Sequence, residues 1–344
     1  MNLTEFRQEF DKHFFMFVDK KISDYNTLTD EKAFRSLFGY LKTYIEGGKR
    51  LRPYAAYLAF AESEKNLTDK EWLVFIALEL IHVLALIHDD IIDKATKRRG
   101  VDSVHVFVQK NFNIVRGDKK HFSNSQALLV GDLIFSSAFQ ALYSSGVSGD
   151  VSSTIHKMLD EVILGQMIDV DLACGDIAPR SKIITKSKYK TALYTFARPF
   201  EVGCLLGNVS LSTQSKFFMI GELIGLTYQT QDDYLDVFDT RDILQKELMN
   251  DIKEGQQTLV TYHFFEKASQ EQRSQFLKYF GRDFSNSNVQ EILHLFAELD
   301  IQKDVKKELD QLFKDTKENL SHSDFSEKTK KSLVELITTL EKRS

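Results

Sequence analysis

The sequence predicts an all-α bundle. Three observations carry that prediction. Apolar residues recur at helical spacing along nearly the whole chain, and there is no convincing run of alternating apolar and polar residues. Only 16 glycines and 3 prolines interrupt 344 residues, whereas hairpins and tight turns consume both residue types. With 42% hydrophobic and 28% charged residues the chain can fill one large core, and no stretch is long or low-complexity enough to be a linker. Residues 1–344 therefore read as a single domain.

In chain order, the periodicity predicts helices over 2–22, 30–46, 51–64, 69–93, 124–145, 149–173, 181–206, 212–238, 256–268, 269–281, 289–298, 301–319 and 325–342. Breaks fall at Gly47-Gly48, the basic stretch 94–100, the polar stretch 113–125, and at 144–149, 175–179 and 250–255. From about residue 265 charges thicken and apolar residues shrink to one stripe, which predicts a solvated outer layer. Residues 72–87 and 217–228 are apolar on nearly every face, as the central helices of a large bundle are.

The function classes narrow next. A formal net charge of −5 argues against nucleic acid as the main partner, since a sequence-independent binder is basic. Two cysteines, Cys174 and Cys204, make neither a disulfide framework nor a zinc site. The residues from Met1 carry no apolar signal core. The longest apolar run, Leu73 to Ile87, is shorter than the roughly 20 residues of a bilayer span and contains Glu79 and His82. No transmembrane segment is predicted, and the expected compartment is the cytoplasm.

Both central helices end in an acidic patch, Asp89-Asp90-Ile91-Ile92-Asp93 and Asp232-Asp233-Tyr234-Leu235-Asp236. Each is a D-D-x-x-D. On a helix the first and fifth positions lie about 40° apart around the axis and about 6 Å along it, so the carboxylates crowd one face. Like charges at that spacing repel, and the carboxyl end of a helix is already negative. A cation must compensate. Magnesium fits, because it takes one or two carboxylates and completes its shell with water and substrate phosphates. One such patch is as often a solvated helix end; two, each closing an apolar helix, favour the metal. A second metal reading takes His88-Asp89 as the core of an HD-type phosphohydrolase, but it leaves the second patch unexplained.

Cations sit where the helical pattern breaks: Lys49 and Arg52 in Gly47-Gly48-Lys49-Arg50-Leu51-Arg52-Pro53, Arg98-Arg99-Gly100, Lys190 in Tyr189-Lys190-Thr191, and Lys246 and Lys253 after the second patch. Singly, each is an ordinary solvated charge. Beside two acidic patches, together they suit phosphate oxyanions, and guanidinium forks suit diphosphate.

These residues resemble the trans-polyprenyl (isoprenyl diphosphate) synthase family. Its signatures appear in order as GGKRLRP at 47–53, LIHDDIID at 86–93, RRG at 98–100, GD at 131–132, GQxxD at 165–169, KTA at 190–192, QxQDDYLD at 229–236 and DIKEG at 251–255. The resemblance implies an isoprenoid synthase-type all-α bundle around a deep central cavity, a homodimer, and head-to-tail 1'-4 condensation of isopentenyl diphosphate with a C5–C15 allylic diphosphate. It implies that Lys49, Arg52, His82 and Arg99 hold the isopentenyl diphosphate. Asp89, Asp93 and Asp232, with Asp90, Asp233 and Asp236, become ligands for about three magnesium ions. Arg98, Lys190, Thr191, Gln229 and Lys246 become contacts of the allylic diphosphate, and Asp89, Asp93, Lys190 and Asp232 the catalytic set. Asp132, Gln166 and Asp169 read as interior polar groups in need of hydrogen bonds.

Two departures stand out. Gln256 occupies the lysine position of the family's G-K-x-T, which predicts weaker allylic binding, and Asp102 replaces a proline usual after R-R-G-x. Product length is expected to depend on Leu84, five residues before the first aspartate, and on Ile81 a turn deeper. Leucine there leans to a C20 product, geranylgeranyl diphosphate, with C15 and longer chains as alternatives. Two rivals share the fold: a non-catalytic regulatory subunit of a prenyl synthase, and a class I terpene cyclase. The first would be expected to lose acidic or arginine residues, and the second usually lacks GGKRLRP and the second aspartate motif.

Overall fold

The computed structural model describes residues 1–239 and 249–343. These pack as two compact units, Met1–Tyr57 with Lys65–Ser152, and Leu58–Glu64 with the chain from Ser153 on. Apart from a two-residue hairpin, the described regular structure is helical, as the low glycine and proline content predicts.

The first unit contains α1 (Leu3–Thr27), α2 (Lys32–Ile45), the start of α3 (Leu51–Ala61), α4 (Asp69–Ile92), α5 (Val104–Asn111) and α6 (Lys119–Ser145). Reciprocal caps start α1, where Glu5 N donates to Asn2 at 2.9 Å and Asn2 N to Glu5 at 3.0 Å. One face of α1 carries Phe6, Phe10 and Phe14, all fully buried; Phe6 packs on Tyr57, Trp72 and Phe75. α4 is the axis of this unit and lies along α6. Arg50 sits in the left-handed region (φ 56°) with its side chain buried. It donates to Asp11 at 2.8 Å and to Glu79 at 2.7 Å, and its guanidinium lies 4.7 Å from the centre of the Phe14 ring. This buried network fixes the Gly47–Pro53 segment between α2 and α4 and accounts for Glu79 in an otherwise apolar helix.

The second unit contains the end of α3, most of α7 (Gly149–Cys174), α8 (Arg180–Ser187), a π-helix (Lys188–Ala197), α9 (Arg198–Gly207), α10 (Leu211–Phe238), α11 (Asn250–Glu254), α12 (Leu259–Lys267), α13 (Gln270–Phe276), α14 (Asn286–Glu298), α15 (Ile301–Ser321) and α16 (Glu327–Glu341). α10 is its axis, flanked by the π-helix, α9 and α15.

Four expectations need correction. The basic stretch 94–100 is not merely a break: Lys97–Arg98 pairs with Val101–Asp102 around an Arg99-Gly100 turn with φ 53° and 84°, and α5 follows where no helix is expected. A type I′-like tip needs positive φ at both turn residues, and the strands are too short to show alternation. α6 starts at Lys119, within the polar stretch read as a break, because Asp118 caps it by accepting from His121 N at 2.7 Å. The helix expected over 181–206 changes pitch through the π-helix. The region after 265 is more than a solvated layer, since Phe276 and Phe296 are fully buried and pack, with tilted rings, on each other and on Phe264.

Two helices, Asp69–Ile92 and Lys119–Ser145, are long and apolar enough to cross a membrane by length and composition. Of the apolar window in α4, 67% is buried within the protein, as for a core helix.

Candidate active site

In the first unit the acidic end of α4 meets the basic hairpin. Asp90 is fully buried. One carboxylate oxygen accepts from Tyr44 Oη at 2.7 Å and the other from Arg98 Nε at 2.6 Å. Burial still holds the carboxyl of Asp90 above its ordinary range, although Arg98 and Tyr44 pull the other way. Both oxygens of Asp90 are thus engaged in this structure, one by Tyr44 and one by Arg98. Asp89 is part-exposed and lies 3.5 Å from Arg98 Nη2, and Asp93 closes the helix with its N–H on the Asp89 carbonyl at 2.8 Å.

The two cationic motifs of this unit converge. Arg99 donates to the Glu46 carbonyl at 3.5 Å, and a Cβ at Gly47 would stand 4.0 Å from the Arg99 Cδ. Gly47 is left-handed (φ 74°), and at Gly48 a Cβ would come within 2.5 Å of the Arg50 guanidinium. The two glycines are thus needed for different reasons, one for its turn and one for close approach. His82, on the same unit's α4, is held well below its usual pKa by burial and by Arg52, Arg99, Arg98 and Arg50. Lys49 is exposed on the loop that carries Gly47 and Gly48.

His88 does not serve the HD reading. Its Nε2 lies 3.2 Å from the Leu128 carbonyl, and a Cβ at Gly131 would come within 2.3 Å of that nitrogen. Gly131 of the GD pair is therefore a packing glycine, and Asp132 is exposed on α6 rather than interior. Ile81 is buried, and Leu84 points at α6 near Gly131. Asp102 pairs with Lys110 at 2.7 Å.

In the second unit the π-helix carries Lys190 and Thr191. It is clamped by glycines: a Cβ at Gly165 on α7 would fall 2.4 Å from the Lys190 backbone nitrogen, and one at Gly225 on α10 would fall 2.3 Å from the Ala192 Cα. Thr191 Oγ1 donates to Gln229 Oε1 at 2.5 Å, and Gln229 Nε2 donates to Asp233 at 2.7 Å. The expected allylic contacts Thr191 and Gln229 are thus one hydrogen-bonded file ending on the second aspartate patch. Asp169 is buried, as read, between Lys186 at 3.0 Å and Lys190. Burial alone would raise its carboxyl, but the two ammonium groups bring it below the usual range.

Three further carboxylates crowd the end of α10. Burial pushes both Asp233 and Asp236 up to about 6, although Asp236 accepts from Asn250 N at 3.2 Å and Asp251 N at 3.0 Å. Asp251 is raised well above the ordinary range by burial and by Asp236 and Asp233. Asp232 is part-exposed and ion-paired with Arg343. Lys246 lies outside the described residues. Gln256 is buried, with no partner for its Oε1 among the described residues.

The sequence reading missed Lys186 and Gln257. Lys186 stands four residues before Lys190, one helical turn away on the same face, a spacing visible in the sequence. Gln257 has no such signal; its side chain accepts from Ala178 N at 2.7 Å and donates to the Leu172 carbonyl at 2.6 Å, while its carbonyl accepts from Lys186.

The donor sets fit magnesium in one respect and not in another. Among the described residues no three His, Cys, Asp or Glu side chains are grouped closely enough to hold a metal alone. Paired part-exposed carboxylates at a helix end are nevertheless what magnesium uses when phosphate and water complete its shell.

A polyprenyl synthetase family model matches residues 34–296, three-quarters of the chain and every motif above. The chain belongs to the polyprenyl synthetase family. Its relatives include a geranylgeranyl diphosphate synthase of Methanosarcina mazei, 32% identical over 64% of this chain and 64% of that protein, so the alignment spans just under two thirds of that relative. A short chain isoprenyl diphosphate synthase of Methanothermobacter thermautotrophicus is 30% identical over 68% of each chain. A geranylgeranyl pyrophosphate synthase of Corynebacterium glutamicum, solved with isoprenyl diphosphate and magnesium, superposes with a TM-score of 0.89 at 26% identity over 100% of both chains. This family consists of prenyltransferases, and the all-α isoprenoid synthase fold expected from the motifs is the fold observed.

Proposed function

We propose that this enzyme condenses isopentenyl diphosphate head-to-tail with a C5–C15 allylic diphosphate. The observation that carries the reading is the convergence of the two basic motifs, where Arg99 donates to the Glu46 carbonyl beside Gly47 and burial with Arg52, Arg99 and Arg98 lowers the pKa of His82. Like charges gather there at a cost that an anion offsets, and a neutral imidazole can donate to a phosphate oxygen without adding to the repulsion. Lys49, Arg52, His82 and Arg99 are the isopentenyl diphosphate set. Asp89, Asp93, Asp232 and Asp236 are the residues that would hold about three magnesium ions. Asp90 and Asp233 support them, and Lys190, Thr191 and Gln229 bind the allylic diphosphate. Magnesium, when bound, neutralises the diphosphate charge and so improves the leaving group.

The chain's own residues account for the remaining work. Lys190 and Arg98 hold diphosphate oxygens while the allylic C1–O bond breaks and the electron pair stays on oxygen. The C4 alkene carbon of isopentenyl diphosphate, positioned by Arg52 and Arg99, bonds to C1. A proton then leaves C2 and is taken up by the released diphosphate. Apolar walls keep water from trapping the cation.

Incubation with isopentenyl diphosphate, magnesium and C5, C10 or C15 primers, followed by chain-length analysis, tests this. Elongation to an all-trans C20 diphosphate is expected. Product from the allylic diphosphate alone would favour the terpene cyclase, and activity only beside a partner synthase would favour the regulatory subunit. Leu84→Phe, at the α6-facing position, is expected to shift product to C15; an unchanged distribution would remove Leu84 from the length-setting role.

We also propose a homodimer. α6 exposes Leu128, Leu129 and Tyr143 and, separately, α7 exposes Ile163, Leu164 and Met167, apolar stripes that a second copy would cover. Light scattering of Leu129→Asp is expected to show monomer.

A further inference from the structure

Arg343, just beyond α16, lies against the aspartate patch of α10. Its Nη2 pairs with Asp232, and its guanidinium stands 4.5 Å from the centre of the Tyr228 ring. Tyr228, Gln231 and Asp232 are spaced three and four residues apart, so they form one face of α10. The position is built rather than frayed. Gln231 Nε2 reaches the Glu341 carbonyl at 3.5 Å, Lys317 holds the Glu341 carboxylate at 2.8 Å, and Arg343 N donates to the Leu340 carbonyl at 3.1 Å. Arg343 Nη1 is buried with no hydrogen-bond partner among the described residues. A guanidinium with one edge on Asp232 and an unspent edge beside it is arranged to accept a second anion.

The charge balance of the same unit points the same way. Among the described residues Lys186 and Lys190 share Asp169, Lys186 and Lys253 act on Asp233 and Asp236 from a distance, and Gln256 brings no charge, so Arg343 is the cation in direct contact with Asp232. An arginine and a metal ion on the same carboxylate repel unless a polyanion lies between them, and a diphosphate is such a polyanion. Stacking on Tyr228 keeps the guanidinium in place when Asp232 turns to a metal.

We propose that Arg343 binds the diphosphate of the allylic substrate, supplying from the end of α16 the positive charge that Gln256 does not. This rests on the prenyl synthase reading above, and the test separates the two. The full chain is titrated calorimetrically with inorganic pyrophosphate, with and without magnesium, and the magnesium-dependent component is compared between variants. Arg343→Gln is expected to weaken that component about tenfold, and Arg343→Lys about threefold, since an ammonium keeps charge without the planar fork. In steady state the KM for allylic diphosphate should rise in parallel, with kcat within about threefold and the KM for isopentenyl diphosphate unchanged. Thermal midpoints report whether each variant folds, and Arg343→Lys carries the test if the glutamine variant does not. Unchanged or tighter magnesium pyrophosphate binding in Arg343→Gln or Arg343→Lys would overturn the proposal, showing the arginine to be inert or a plug on Asp232. Pyrophosphate binding that depends on Arg343 in a protein that never elongates would instead retain the site and remove the prenyl synthase reading.

Discussion

The ends of α4 and α10 carry the same five-residue pattern and handle its charge in opposite ways. At the end of α4 the middle aspartate, Asp90, is locked to a cation, Arg98, and a phenol, Tyr44. At the end of α10 its counterpart Asp233 is equally buried and accepts from the neutral amide of Gln229, with the Asp236 and Asp251 carboxylates close by. The first patch is neutralised by the protein itself. In the second, among the described residues, only Asp232 has a cation in direct contact, Arg343, while Asp233 and Asp236 are held up by burial. The comparison teaches that a repeated motif does not imply a repeated electrostatic role.

The largest effects test whether the outer aspartates act alike. Asp89→Ala and Asp232→Ala are each expected to lower turnover on the order of a hundredfold or more, because each removes charge stabilisation from the leaving diphosphate. Near-normal turnover of either variant at saturating magnesium would break the equivalence of the two patches.

The middle aspartates should then part company in stability. Asp90→Ala leaves Arg98 and Tyr44 without their acceptor and is expected to cost about 3 kcal/mol in denaturant unfolding, as breaking a buried ion pair does. Asp233→Asn removes a charge that burial already disfavours and keeps an oxygen for Gln229, so the metal-free protein should be at least as stable at pH 7.5. A loss from Asp233→Asn as large as that from Asp90→Ala would erase the distinction.

The outer aspartates were legible in the sequence because helical spacing and the polarity of the preceding helix fix where they crowd. The approach of the Gly47 and Arg99 segments was legible only as motifs, since loop geometry brings them together. Asp90's engagement was not legible: its partner Tyr44 sits in an ordinary amphipathic helix, and a D-D pair gives no sign of which carboxylate turns inward. The same holds for the π-helix, whose extra residue per turn depends on glycines at 165 and 225 that lie far from it in sequence. Arg343 was missed because no spacing relates it to Asp232.

A smaller effect concerns pH. Asp233 and Asp236 have their folded pKa raised to about 6, above an unfolded value near 4. The folded state therefore holds more protons between those values, and metal-free stability from these groups is present below about pH 4 and is lost as pH rises through 6. Magnesium competes with those protons. The thermal shift on adding magnesium is accordingly expected to be small at pH 5 and larger at pH 7.5. A shift independent of pH would place the metal's stabilising effect on the α4 patch.

The smallest effect probes the missing lysine. Gln256→Lys adds a cation to the acidic second unit, where the first unit needs none, and should lower the KM for allylic diphosphate. With Arg343 already serving the diphosphate, the expected gain is modest, about threefold. In an Arg343→Gln background the same change should recover more, because two cations that serve one anion are not additive and residues sharing a partner commonly couple by about 0.5–3 kcal/mol. Equal gains in both backgrounds would show that position 256 and Arg343 serve different anions, and the acidic second patch would then need another source of charge.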